Sequence, residues 1–137
     1  MYNVHITGQL QQKRRVTTYV RSVLTFLAPR VRRDIDIYIK TPSVRKTGLY
    51  GSCDFDGNVI EIEISKTDLE GKPLGLDAVM ISLAHELVHA KQFIMGDLLP
   101  GLTTYKGKDY TSTCYSKQPW EREAYAKQHM LMETFWL

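Results

Sequence analysis

Leu76-Asp77-Ala78-Val79-Met80-Ile81-Ser82-Leu83-Ala84-His85-Glu86-Leu87-Val88-His89-Ala90-Lys91-Gln92-Phe93-Ile94-Met95-Gly96 is the stretch on which the fold turns. Asp77 offers an N-cap, and a helix is predicted to run to Met95, where Gly96 supplies the residue type that best accepts a left-handed cap. Leu76, Met80, Leu83, Leu87 and Ile94 form an apolar stripe, and Val79, Ala84 and Val88 widen it until little of the helix is left to face water. The pattern predicts a central, buried helix. Burying His85, Glu86 and His89 side by side in such a helix is costly unless the three share a purpose.

Helix geometry suggests that purpose. Residues four apart lie one turn above each other, so His85 and His89 can direct imidazole nitrogens at a single ion about 2.0–2.1 Å away. Glu86 projects about 100° further around the axis, too far for equal ligation but placed to take a proton from water on that ion. Zinc lowers the pKa of its bound water to about 7 and polarises a carbonyl, which makes amide hydrolysis accessible. Catalytic zinc usually has three protein ligands and one open position. A metzincin arrangement is excluded, because Gln92 and Met95 stand where it requires Gly and His; a Cys or His donor elsewhere stays open. The better candidate lies in Pro119-Trp120-Glu121-Arg122-Glu123-Ala124-Tyr125. Pro119 suits the first position of a helix, Glu121 falls in its first turn, and small Ala124 on the same face permits close approach to the first helix.

Upstream, residues 12–28 place Val16, Tyr19, Val20, Val23, Leu24 and Leu27 at helical spacing until Pro29 stops the pattern. Asp34 to Lys40 alternates Ile35, Ile37 and Ile39 with polar residues and Tyr38, as a half-buried strand does. Tyr50–Phe55 and Asn58–Ser65 flank Asp56-Gly57, a pair suited to a type I′ hairpin turn. In the second of these strands Ile60, Ile62 and Ile64 share one face and Glu61 and Glu63 the other, and it is expected to form a sheet edge on which an extended substrate pairs. Residues 97–118 show no sustained period and read as a long loop. The expected fold is α+β: an N-terminal helix, a small, mostly antiparallel sheet of three strands or slightly more, the His-bearing helix and a C-terminal glutamate helix. All of it is expected in one domain spanning residues 1–137, because nothing resembles a linker or repeat.

Composition narrows the class. With 43% hydrophobic and 24% charged residues, the 137-residue chain is neither disordered nor fibrous. Its longest apolar run is far short of a membrane span, and its N-terminus lacks signal-peptide features, so a cytoplasmic protein without membrane contact is expected. Cys53 and Cys114 lie far apart and read as free thiols. Residues 1–46 hold ten Lys or Arg against Asp34 and Asp36, a balance of +8, whereas the remainder holds eight against thirteen, −5. The basic first third is a candidate surface for nucleic acid or an acidic partner, set against the commoner reading of a solvated helix face.

His85-Glu86-Leu87-Val88-His89 followed by Glu121-Arg122-Glu123-Ala124 resembles the gluzincin pattern, in which HExxH is completed by a Glu from a later ExxA-type helix. Minigluzincins and ImmA/IrrE-type peptidases are the nearest comparisons, with the SprT-like group a neighbour. The resemblance implies a zincin-like, zinc-dependent metallopeptidase acting on protein or peptide substrates. It selects Glu121 as third ligand beside His85 and His89, with Glu123 second and Glu86 as general base. The alternatives are a SprT-like nucleic-acid-associated protease and a non-catalytic zincin-fold binding protein. Where many relatives carry Asp or Asn after the Ala to support the first His, this chain has Tyr125. Tyr105, Tyr110 and Tyr115 are candidate donors to a substrate oxyanion. His129, about 12 Å along a helix from Glu121, is expected to be structural or to support the site from behind a ligand, and His5 has no assigned role.

Overall fold

The computed structural model describes residues 1–41, 51–68 and 70–136. Tyr50 of the expected hairpin therefore lies outside the described residues. Among those described, the main elements in chain order are β1 (Tyr2–Thr7), α1 (Lys13–Leu27), β2 (Ile35–Lys40), β3 (Gly51–Asp56), β4 (Val59–Ile64), α2 (Leu76–Ile94), β5 (Thr104–Tyr105), β6 (Lys108–Asp109) and α3 (Pro119–Phe135). The α+β class expected from the sequence is the one observed.

The sheet differs in its pairing. Its order is β1-β2-β4-β3, with β1/β2 and β2/β4 parallel and only β3/β4 antiparallel. The reason for the first pairing is α1, which crosses from the end of β1 back to the start of β2 and so returns the chain in the same direction. The first strand has no counterpart in the expected fold. Tyr2, Val4 and Ile6 alternate with polar residues, and all three pack on the core; the Tyr2 hydroxyl donates to the Ala28 carbonyl at 2.7 Å and ties the strand to the end of α1.

β4 is interior, flanked by β2 and β3, which corrects the expectation that Asn58–Ser65 is an edge. Its isoleucines are buried as expected and Glu61 is exposed; among the described residues β3 is the edge instead. The hairpin turn also shifts by one residue. Asp56 pairs with Val59, so Gly57-Asn58 makes the turn, and Gly57 has φ 62 while Asn58 is not left-handed. Glycine at the first central position is the type II′ arrangement rather than type I′. Within the 97–118 loop, Tyr105 pairs with Lys108, and Lys106 and Gly107 at φ 50 and 79 form a short hairpin turn that no apolar period announces.

α1 buries Val16, Tyr19, Val20, Val23 and Leu24, and the Tyr19 hydroxyl reaches the Met80 carbonyl of α2 at 3.0 Å. α2 is buried along nearly its whole length. Gly75, not Asp77, caps its start; Asp77 stands in the first turn, where a carboxylate meets the positive end of the helix dipole. At its end Gly96 takes φ 75, and Arg33 donates to the Ile94 carbonyl at 3.0 Å. Other basic residues of the first third also have internal partners: Arg21 donates to the Tyr2 carbonyl, and Arg15 lies 3.8 Å over the Trp136 ring.

α3 begins at Pro119 and crosses α2 through Trp120, Ala124 and Leu131, all fully buried. A small residue at the crossing lets the helices close up. Ala124→Leu is therefore expected to cost about 1–3 kcal/mol by overpacking, read as a lowered denaturation midpoint; unchanged stability would remove Ala124 from that role.

Candidate metal centre

α2 carries His85 and His89 one turn apart, their rings 4.9 Å apart and 82° from coplanar. α3 brings Glu121 across the helix crossing, so that its Oε1 lies 3.0 Å from His85 Nε2 and 3.1 Å from His89 Nε2. All three residues are buried, and their potential ligand atoms lie within 4.8 Å of one another.

The fit to a metal ion can be judged from the donor chemistry. Ligands about 2.0–2.1 Å from a tetrahedral zinc stand about 3.3 Å from each other, close to the separations between Glu121 and the two imidazoles. The far side of each ring is occupied too: His89 Nδ1 lies 2.8 Å from Gln92 Oε1 and His85 Nδ1 lies 2.9 Å from Gln128 Oε1. An amide oxygen only accepts, so each neutral ring carries its proton on Nδ1 and turns the Nε2 lone pair toward the Glu121 carboxylate. Three lone-pair donors then converge on one buried point, an arrangement that repels itself until a cation or proton enters.

The electrostatics have the same origin. Burial would raise the Glu121 carboxyl, but with protons on the two Nε2 atoms in place of a cation, hydrogen bonds and positive charge from His85 and His89 outweigh it and hold the carboxyl down at about 2. Burial lowers His89, yet the Glu121 hydrogen bond, the Glu86 and Glu121 charges and Gln92 together raise it. Glu86 stands apart from the three-residue cluster. Burial pushes its carboxyl up to about 7 against the pull of His89 and His85, with Glu121 and Asp54 adding to the rise.

These groups line a cleft of about 230 Å³ with Gly51 to Asp54 of β3 along one wall and Leu102 and Tyr115 along the other. Glu86 is pressed against the start of β3: a Cβ at Gly51 would stand 3.0 Å from Glu86 Oε2 and 3.1 Å from its Cγ. Leu102 is held at φ 57 beside Gly101 at φ 102 and is 46% exposed, which places an apolar side chain at the mouth.

Of the residues singled out in the sequence, the structure brings His85, His89 and Glu121 together and sets Glu86 in the same cleft. Glu123 points elsewhere, bonded to Gln92, Lys91 and Lys127 at 2.8, 2.9 and 2.6 Å, and these partners hold its carboxyl down at about 2 against burial. Tyr115 is at the site, its hydroxyl 3.1 Å from Glu121 Oε1 and 3.2 Å from the Tyr125 hydroxyl; burial, Tyr125 and the Glu121 charge all raise its pKa. Tyr105 and Tyr110 pack on Trp120 instead. The Tyr125 ring edge meets His85 at 4.5 Å, and it is Gln128 that bonds the His85 ring from behind. His129 is exposed and meets only Gln128, at 3.4 Å, among the contacts described. Gln92, Gln128 and Gly51 carry no assignment from the sequence. Their only signal is position: Gln92 falls three residues after His89, and Gln128 seven after Glu121 on the same helix face.

No protein-family model matches the chain, and no curated protein matches it either. Among solved structures the chain is similar to the crystal structure of a Wss1 mutant from Saccharomyces cerevisiae, at 13% identity and a TM-score of 0.43 over 98% of this chain and 90% of that one. That likeness is too distant to assign a family or an activity.

Proposed function

We propose that the chain is a zinc-dependent metallopeptidase. The observation that supports this most is the convergence of two Nε2 lone pairs and one carboxylate oxygen on a single buried point beside a second carboxylate, Glu86. His85, His89 and Glu121 would hold the ion, two neutral imidazoles and one carboxylate that offset half the charge of a divalent cation. Zinc bound there supplies Lewis-acid polarisation of a carbonyl and an acidified water.

The chain's own residues do the rest. Glu86, raised toward neutrality by burial, takes the proton of the attacking water and returns it to the departing amine. Tyr115, whose hydroxyl stays protonated and borders the cleft, would turn that hydroxyl from Glu121 to donate to the oxyanion. The edge strand β3, rather than β4, offers backbone groups for an extended peptide lying along the cleft. Substrate is thus expected to be a polypeptide in extended form.

Elemental analysis of the full chain purified without added metal tests the reading: zinc should be present at close to one ion per chain, and a metal-free protein that also fails to take up zinc at micromolar concentrations would reject it. Gly51 gives a second, independent check. Gly51→Val suits a strand but drives Cβ against the Glu86 carboxylate, so cleavage should fall by up to about 100-fold through misplacement of the base while zinc stays bound. Undiminished cleavage would show that Glu86 need not stand where it does.

A further inference from the structure

Gln92 is fully buried between the two site helices, a costly place for an amide unless every polar atom is used. Its Nε2 lies 3.0 Å from the Trp120 carbonyl oxygen and 2.8 Å from Glu123 Oε1. Both of these only accept hydrogen bonds, Glu123 being kept a carboxylate by Lys91 and Lys127. The amide can therefore stand in one orientation alone, NH2 toward α3 and Oε1 toward His89 Nδ1 at 2.8 Å. That oxygen requires a proton on Nδ1 and so leaves Nε2 bare.

We infer that Glu123 and Gln92 are positioning residues that lock His89 in the Nδ1–H tautomer, aiming an unprotonated Nε2 at the point it shares with His85 and Glu121. The inference rests on the metal site proposed above and adds a role to it: Glu123 serves the centre through Gln92 and His89 rather than as a ligand. The negative charge of Glu123 is passed along the amide to the ring and makes Nε2 a stronger donor. His85 has no such lock. Its partner Gln128 is only partly buried, and the Gln128 amide nitrogen meets His129 Nε2, a group that either donates or accepts, at 3.4 Å. The two imidazoles of the pair are thus held unequally.

Nitrogen-15 NMR of the histidine rings in the metal-free full chain, at alkaline pH where the rings are neutral, reads the tautomer directly; competition with a chromophoric chelator reads zinc affinity. The wild-type protein should show His89 with Nδ1 protonated. Gln92→Met should mix the His89 tautomers and weaken zinc by about 10–100-fold, whereas Gln128→Met should weaken it by less. Glu123→Gln, which preserves size and leaves the core untouched, should keep the fold, weaken zinc by about 10-fold and move the His89 Nδ1 proton upfield. A Gln92→Met protein that loses only thermal stability, with tautomer and affinity unchanged, would reduce Gln92 to a packing link and overturn the inference. If that variant does not fold, wild-type affinity and proton shift in Glu123→Gln overturn it instead. A wild-type chain that takes up no zinc would sink the peptidase reading, while the tautomer in the metal-free protein would still decide the inference.

Discussion

Glu86→Gln is expected to retain zinc and to lose about 10²–10⁴-fold in the rate of cleavage of an unfolded protein substrate. Glutamine matches glutamate in size, so the contact with Gly51 and the packing of α2 survive. What disappears is the ability to take a proton. The wild-type residue is built for that work: it is 6% exposed, and burial raises its carboxyl to about 7 in spite of two neighbouring imidazoles. A base must be ionised to act, so the wild-type rate should climb with pH as Glu86 deprotonates. A bound cation favours the carboxylate and moves that climb to below about pH 7. The Glu86→Gln protein should show no such limb. Cleavage at the wild-type rate with zinc in place would exclude Glu86 as the base and with it the mechanism.

What the sequence made legible follows from where the physics is local. The α2 stripe, the α1 stripe and the Ile35–Ile39 alternation each record burial of one face, and each becomes the element its period implies. Strand pairing is not local in that sense. Tyr2 finds Ile35 as its partner only because α1 folds the chain back between them, and no residue of β1 carries that information. β4 likewise reads as half-exposed because Glu61 and Glu63 face away from the helices. A strand with one wet face can still be paired on both sides, and this one is. At the site, His85, Glu86 and His89 are legible because helical spacing fixes their faces. Gln92 and Gln128 are not, because an amide acquires its meaning from what lies across the helix crossing.

Glu121→Ala should weaken zinc by more than about 100-fold and abolish cleavage, whereas Glu123→Ala should stay within the range of about 10–100-fold expected of a supporting partner. Both residues lie in the first turns of α3, two apart, and therefore face about 200° apart around the helix. Glu121 Oε1 touches both imidazoles and the Tyr115 hydroxyl, while Glu123 is spent on Lys91, Lys127 and Gln92. Loss of Glu121 leaves two neutral nitrogens and no charge to balance a divalent ion, with an empty corner on the α3 side. Loss of Glu123 leaves Lys91 facing an empty site but all three donor atoms in place. The ratio of the two affinities, measured by chelator competition on variants whose circular dichroism matches the wild type, decides the assignment. Equal losses, or a larger loss in Glu123→Ala, would mean that the third donor is not the carboxylate standing between His85 and His89.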